Sequence, residues 1–315
     1  MLMKKTTFLL KWFPSLILLS LSGAVTGQDM PESIISTIEA VSTSLDGARV
    51  GVFVSNANTN QQWHYNGNQR FPTASTFKVL ACAAALDKGA LSTAVKITEK
   101  DLVEYSPVTE KYINNTMTYN QLCHATITTS DNTAGNLILR YIGGPEGLTQ
   151  FLRGTGDNVT LMSRWEPELN QGTPGDKRDT TTPHAINRTL GILLFGDVLS
   201  QSKQQKLLQW MKQDQVADDL LRSVLPKTWQ IGDKTGAGGH GSRGIIAVLI
   251  PPNSEPVLVS IYLTESQTTI KQLNKAIATI GSAIIKELEA NLGEKKTIGA
   301  YSTPIFVRSS HKDFL

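Results

Sequence analysis

The stretch Thr73-Ala74-Ser75-Thr76-Phe77-Lys78-Val79-Leu80-Ala81-Cys82-Ala83-Ala84-Ala85-Leu86-Asp87-Lys88 turns the chain from strand character to helix, and Gly89 ends it as a helix-stopping residue. Two β-prone runs precede it, at 49–55 and 62–65, joined by an Asn-rich turn. Ahead of those, residues 31–45 repeat Ile34, Ile35, Ile38 and Val41 at helical spacing behind Pro31. After it, helical stretches and polar loops run to about Gln209. Beyond Pro226 the character reverts to β-branched runs at 229–234, 245–250 and 257–263. Ile270, Leu273, Ile277, Ile280, Ile284 and Leu288 then mark one long amphipathic helix. The order helix, two strands, helical middle, three strands, helix implies an α+β fold. A five-stranded antiparallel sheet is assembled from both ends of the chain and flanked by helices, with an all-helical domain inserted.

The N-terminus has its own logic. Lys4, Lys5 and Lys11 lead into an apolar run from Trp12 to Leu21, then small residues through Gly27. That is the layout of a secretory signal, and the run is too short and too interrupted by Pro14 to span a membrane. Cleavage after residue 27 leaves a mature chain from about Gln28. The three signal lysines account for the whole excess of 30 basic over 27 acidic residues, so the mature protein is formally neutral. The basicity therefore argues for neither nucleic acid nor membrane partners. The expected organisation is a signal at 1–27, a sheet domain at 28–65 and 213–292, a helical domain at 66–212, and a loose tail at 293–315.

Cys82 and Cys123 both lie in the exported part, where they either pair or stay buried as thiols. The five histidines have no ligand-like spacing to cysteine or carboxylate, so no metal and no cofactor is expected. One loop, 164–179, is long and irregular, and structureless loops of that length in compact domains are usually functional.

Ser75 and Lys78 stand three apart, close enough on a helix for the amine to hydrogen-bond and activate the hydroxyl. Ser75 also falls in the first turn of its helix, where free N–H groups favour an oxyanion. The spacing alone is worth little, because Ser200–Lys203 and Ser309–Lys312 repeat it. Ser130-Asp131-Asn132 and Lys234-Thr235-Gly236 each occur once and decide the matter. With Ser75–Lys78 they form the ordered set of serine β-lactamases and penicillin-binding proteins.

From about residue 30 to 292 the chain resembles class A β-lactamases. The resemblance rests on Arg70-Phe71-Pro72-Thr73-Ala74-Ser75-Thr76-Phe77-Lys78, Asp101-Leu102-Val103-Glu104-Tyr105-Ser106-Pro107 and Ser130-Asp131-Asn132-Thr133-Ala134. It continues through Arg164-Trp165-Glu166-Pro167-Glu168-Leu169-Asn170, Arg178-Asp179-Thr180-Thr181, Lys234-Thr235-Gly236-Ala237-Gly238 and Gly241-Ser242-Arg243-Gly244. It implies Ser75 as nucleophile, Lys78 in the proton network, an oxyanion hole of the Ser75 and Ala237 N–H groups, and Ser130 as proton relay. Asn132 would hold the substrate's side-chain amide, Tyr105 would wall the entrance, and Lys234, Thr235, Gly236 and Arg243 would face the substrate carboxylate. Glu166 and Asn170 would hold the deacylating water, Arg164 and Asp179 would close their loop as an ion pair, and Cys82 and Cys123 match the family disulfide. Asp131, Asp214 and Asp233 are read as scaffolding acids.

The implied protein is a monomeric periplasmic hydrolase that destroys small-molecule β-lactams and confers antibiotic resistance. A DD-peptidase or a β-lactam sensor of the same fold would lack Glu166 or carry a membrane partner. The runs 65–72 and 179–183 resemble the carbenicillin-hydrolysing subgroup, yet many of that subgroup have arginine where Lys234 stands. Ala74 and Gly238 exclude the extra disulfide of some carbapenem-hydrolysing relatives. Penicillins, with weaker action on early cephalosporins, are the expected substrates.

Overall fold

A computed structural model describes residues 29–57 and 61–301. The signal at 1–27 and the last part of the expected tail lie outside the described residues. No helix among those described is long and apolar enough to cross a membrane.

The sheet has five antiparallel strands: β1 (Arg49–Asn56), β2 (Gln62–Tyr65), β3 (Gln230–Gly238), β4 (Ser242–Ile250) and β5 (Val257–Thr264). They lie in the order β2-β1-β5-β4-β3. The first and last segments of the fold thus meet through β1 and β5, with Val52 opposite Ile261. Side chains alternate between two cores, as a sheet covered on both faces requires. Ile245, Ala247, Leu249, Val259 and Ile261 face one core, and Ile246, Val248, Leu258 and Tyr262 face the other.

Helices α1 (Glu32–Ser44) and α8 (Ile270–Tyr301) cover the first face with Ile34, Ile38, Ile277, Ile280 and Ile284. α8 continues to Tyr301, past residue 293, where a loose tail is expected to begin. A glycine inside a helix costs only about 1 kcal/mol, which Gly293 alone does not turn into a stop.

Two strands also outrun the expectation. β3 extends past residue 234 to Gly238, and β4 begins at Ser242 rather than 245. Pairing of Ala237 with Arg243 and of Gly238 with Ser242 carries the ladder through a segment without apolar side chains. Hydrogen bonding sustains it where side-chain pattern gives no signal.

The other face is covered by the helical middle: α2 (Phe77–Lys88), α3 (Tyr119–Thr128), α4 (Asn132–Ile142), α5 (Gly144–Gly154), α6 (Pro183–Phe195) and α7 (Gln201–Lys212). Every residue of α2 from Phe77 to Leu86 is buried, so it is the central helix of this layer. Its run of alanines lets neighbouring helices approach closely. Cys82 of α2 and Cys123 of α3 form a disulfide with their Cα atoms 5.6 Å apart. Closing a loop of this length contributes about 4 kcal/mol in the chain-entropy treatment.

Candidate active site

Burying α2 on all sides also buries Lys78, which has no exposed surface. A buried ammonium needs acceptors, and the fold brings three groups to it. Lys78 Nζ donates to the Ser130 carbonyl at 2.8 Å and to Asn132 Oδ1 at 2.6 Å, and lies 3.0 Å from Glu166 Oε1. Ser130 Oγ is a fourth, longer contact at 3.4 Å. Burial pushes the Lys78 amine below its ordinary range, while the facing Glu166 carboxylate opposes that shift.

Ser75 occupies a 3-10 turn, Ala74–Thr76, immediately ahead of α2 rather than the first turn of the α-helix itself. No hydrogen bond joins it to Lys78 among the described residues; the lysine's donors point to the stronger acceptors just named. The serine is held by its neighbours. Thr73 donates through its N–H and its hydroxyl to the Asp179 carbonyl, at 2.9 and 3.0 Å. Thr76 shares a 2.8 Å hydrogen bond with the buried Tyr262 hydroxyl. On the third side lies edge strand β3, and a Cβ at Gly236 would come within 2.9 Å of the Thr73 carbonyl and 3.1 Å of the Ser75 nitrogen. Only glycine permits that approach.

The backbone is strained around this point. Ala74, Tyr105 and Ser130 have φ of 40°, 62° and 62°, a region that side chains other than glycine rarely adopt. Such outliers persist where surrounding contacts over-determine them, and they gather at reaction sites. Here the contacts are visible. Asp131, between Ser130 and Asn132, caps α4 through Ala134 N–H and accepts from the Val108 and Thr109 N–H groups and the Thr109 hydroxyl. Asn132 donates from its backbone to the Tyr105 carbonyl (3.0 Å) and from its side chain to the Glu104 carbonyl (2.9 Å). The Tyr105 ring remains mostly exposed beside them.

Loop 164–179 presents Glu166 and Asn170. Arg164 Nε lies 2.6 Å from Asp179 Oδ2 across the loop's neck, and Asp179 Oδ1 accepts from the Ser163 and Arg164 N–H groups. A short 3-10 turn, Glu168–Asn170, brings Asn170 back over Glu166, and Asn170 Nδ2 donates to Glu166 Oε2. Asn170 Oδ1 is buried without a hydrogen-bond partner among the described residues. The loop is docked on the β3–β4 hairpin, since Gly239 N–H donates to the Asn170 carbonyl at 2.8 Å.

The remaining wall is cationic. Lys234, Thr235, Gly236 and Ala237 follow one another on β3, and Arg243 of β4 pairs with Ala237. Lys234 Nζ donates to the Thr235 carbonyl (3.0 Å), and Arg243 Nη1 donates to the Gly236 carbonyl (3.0 Å). Burial holds Lys234 down at about 8, with Asp214 opposing the shift and Lys78 and Arg243 adding to it. Burial likewise lowers Arg243 to about 10. The Ser75 hydroxyl, a buried lysine–carboxylate pair, a second serine on that lysine and two cations thus line one site.

Comparison with known proteins agrees with this geometry. The model of the β-lactamase enzyme family matches residues 33–288. β-Lactamase CARB-3 of Pseudomonas aeruginosa is 48% identical over 258 residues, which cover 80% of this chain and 89% of that one. The chain belongs to the β-lactamase enzyme family. β-Lactamase AER-1 of Aeromonas hydrophila is 46% identical over 263 residues, covering 82% of this chain and 86% of its own. The ancestral (GNCA) class A β-lactamase superposes with a TM-score of 0.79 at 45% identity, covering 81% of this chain and 99% of that one. The chromosome-encoded β-lactamase of Vibrio parahaemolyticus gives 0.79 at 41% identity, with the same coverage. The fold is therefore that of a class A serine β-lactamase, and the protein is a hydrolase.

Several residues of this β-lactamase site escaped the sequence reading. Asn136 clamps Glu166 from both sides, its amide donating to the Glu166 carbonyl and accepting from the Glu166 N–H, each at 2.9 Å. A signal existed: Asn132 and Asn136, four apart, put two amides on one buried helix face. Asn274 Oδ1 receives Arg243 Nε at 2.8 Å, and Arg222 pairs with the buried Asp233 at 3.0 Å. Neither contact has a local sequence signature. Burial pushes Asp233 up to about 7 against the pull of Arg222, and burial also raises the Asp214 carboxyl near Lys234.

Proposed function

We propose that the protein opens the β-lactam amide of penicillins, and more weakly of early cephalosporins, through an acyl-enzyme on Ser75 released by water that Glu166 activates. The observation that carries this reading is Glu166 itself, seated between Lys78 and Asn170. An acylated serine without a poised base is a dead end, and a base beside it makes a catalyst.

In the first half-reaction Ser75 Oγ bonds to the lactam carbonyl carbon and gives up its proton to the Lys78–Glu166 pair acting as a unit. The Ser75 and Ala237 N–H groups stabilise the oxyanion, each donor contributing about 3–4 kcal/mol. The C–N bond then breaks, Ser130 passes its proton to the departing nitrogen, and Lys78, in contact with it, returns the proton taken from Ser75 to Ser130 Oγ. In the second half-reaction Glu166 takes a proton from water held with Asn170. The oxygen of that water bonds to the ester carbonyl carbon, the bond from that carbon to Ser75 Oγ breaks, and Glu166 returns the proton to Ser75 Oγ. The substrate carboxylate rests on Lys234, Thr235 and Arg243, because a carboxylate needs paired donors and positive charge. Asn132 takes the side-chain amide, Tyr105 walls the entrance, and Gly236 keeps β3 close to the nucleophile.

The same reading places the mature chain, from about Gln28, in the periplasm as a monomer that acts on small molecules and confers resistance. Its sheet domain (28–65 and 213–292) supplies the cationic wall. Its helical domain (66–212) supplies the nucleophile and the loop.

The test is intact-mass spectrometry of Glu166→Ala mixed with penicillin, beside steady-state turnover of a chromogenic cephalosporin by the wild type. The expected result is a long-lived penicilloyl adduct on Ser75 in the variant and sustained turnover in the wild type. Rapid release of the adduct would overturn the role of Glu166. A stoichiometric burst without turnover in the wild type would overturn the hydrolase reading.

A further inference from the structure

A second cavity, of about 340 Å³, is lined by Asn68, Arg70, Asn158, His184, Arg188 and Ile192 among others. None of the residues given roles above lines it. Its basic side chains outnumber its one acid, Asp157. Arg188, exposed on α6, pairs with no carboxylate among the described residues. Arg70 donates from Nη1 to Thr180 Oγ1 (2.9 Å) and from Nη2 to the Val159 carbonyl (2.8 Å). Those two bonds fix its plane and leave three of its five N–H groups for another acceptor. His184 is fixed too, its ring stacked 4.6 Å from Phe53 and its Nδ1 3.2 Å from Asn68 Oδ1.

The oxygens of the lining acid are already engaged. Asp157 is buried and turned inward. Its Oδ1 accepts from the Val159 and Thr160 N–H groups, and its Oδ2 from the Thr160 and Thr189 hydroxyls. Two guanidiniums therefore line the cavity against one carboxylate whose oxygens are already engaged, while burial and the nearby Arg188 hold the His184 imidazole below its ordinary range. The N–H groups that Arg70 and Arg188 leave over are donors that the oxygens of an anion match. Val159, Ala185 and Ile192 make part of the wall apolar, which favours an anion carrying a hydrophobic body over a bare inorganic one.

We propose that this cavity binds a small organic anion, a carboxylate on an aromatic or other apolar ring, gripped by Arg188 and Arg70 and seated against His184 and Ile192. The pre-fixed Arg70 and His184 lower the ordering cost of binding. Arg188, free of carboxylate partners, supplies the fork that a carboxylate matches.

The experiment follows the His184 ring signals by NMR in the full-length mature protein during titration with 2-naphthoate, and separately with inorganic phosphate. Wild type, Arg188→Gln and Arg243→Gln are compared, the last because a carboxylate also has a cationic wall to visit at the reaction site. The expected result is a saturable His184 shift with 2-naphthoate that survives Arg243→Gln, with its midpoint raised about tenfold or more in Arg188→Gln. Phosphate is expected to bind at least about tenfold more weakly. An unmoved His184 signal, or a midpoint indifferent to Arg188→Gln, would overturn the site. Phosphate binding as tightly as 2-naphthoate would show an adventitious ion only. None of these readouts depends on turnover, so their failure is distinguishable from failure of the hydrolase reading.

Discussion

Lys78 Nζ and Glu166 Oε1 stand 3.0 Å apart with both side chains fully buried, joining the central helix to the loop that closes over it. Each group offsets the cost of burying the other.

That interdependence gives the first prediction. Lys78→Ala should cost roughly 3–5 kcal/mol of stability, because it strands a buried carboxylate. It should also lower kcat/KM by about 10²–10⁴ as the proton network is cut. The double variant Lys78→Ala/Glu166→Ala should be more stable than Lys78→Ala alone, since the stranded charge is gone. Urea denaturation of the wild type, both single variants and the double variant checks this. Additive losses would show that the pair is not energetically coupled.

Asp179 holds the neck of the loop through Arg164 and two backbone N–H groups, with its own φ at 53°. Asparagine tolerates that conformation, so Asp179→Asn removes the charge with little change of shape. The bonds to a charged group are worth about 1.5–3 kcal/mol each. The variant should expose the loop, and trypsin should cut at Lys177 or Arg178 about tenfold faster or more. Cleavage at the wild-type rate would mean that the charge is not what closes the neck.

Gly236 faces backbone atoms of Thr73 and Ser75 that have nowhere to retreat. Gly236→Ala should push β3 away from the nucleophile, at about 1–3 kcal/mol of stability. A shift of this size beside the reacting atoms should lower kcat/KM about a hundredfold. Gly154→Ala is the control: nothing lies within 4 Å of the added Cβ, and its stability and rate should stay near wild type. Comparable losses in both variants would point to general backbone effects rather than to crowding of Ser75.

Lys234 gives the pH dependence. Burial disfavours its charged form, so in the free enzyme the cation is present below about 8 and lost above it. Grip on the substrate carboxylate should follow. kcat/KM for a penicillin should fall as pH rises through about 8, mainly through KM, while Arg243 retains charge to about 10 and preserves residual binding. In Lys234→Arg the cation persists, and the inflection near pH 8 should vanish. Kinetics between pH 6 and 10 decide it, and an unchanged inflection in Lys234→Arg would assign the titration to another group.

Much of the fold and site was legible in the chain. Alternating β-branched residues marked the sheet, helical spacing marked α1 and α8, and Ser130, Asn132, Glu166, Lys234 and Arg243 stood out because reaction chemistry demands unusual residue types in order. Harder to see were the ends of β3 and β4, where ladder bonds rather than apolar side chains hold the strands, and the helical continuation of α8 past Gly293.

The sequence by itself determined the family and the elements that carry its motifs, because periodicity and motif are local properties of a chain. Only the tertiary structure decided what each group touches. By spacing, Lys78 belongs with Ser75; in the fold its donors go to Ser130, Asn132 and Glu166, since a fully buried ammonium takes the strongest acceptors within reach. The Asn136 clamp on Glu166, the Asn274 hold on Arg243 and the meeting of Arg70 and Arg188 beside His184 likewise exist only when distant segments meet. Burial, which pushes the amines of Lys78 and Lys234 below their ordinary range, is a property of packing that no single segment of the chain contains.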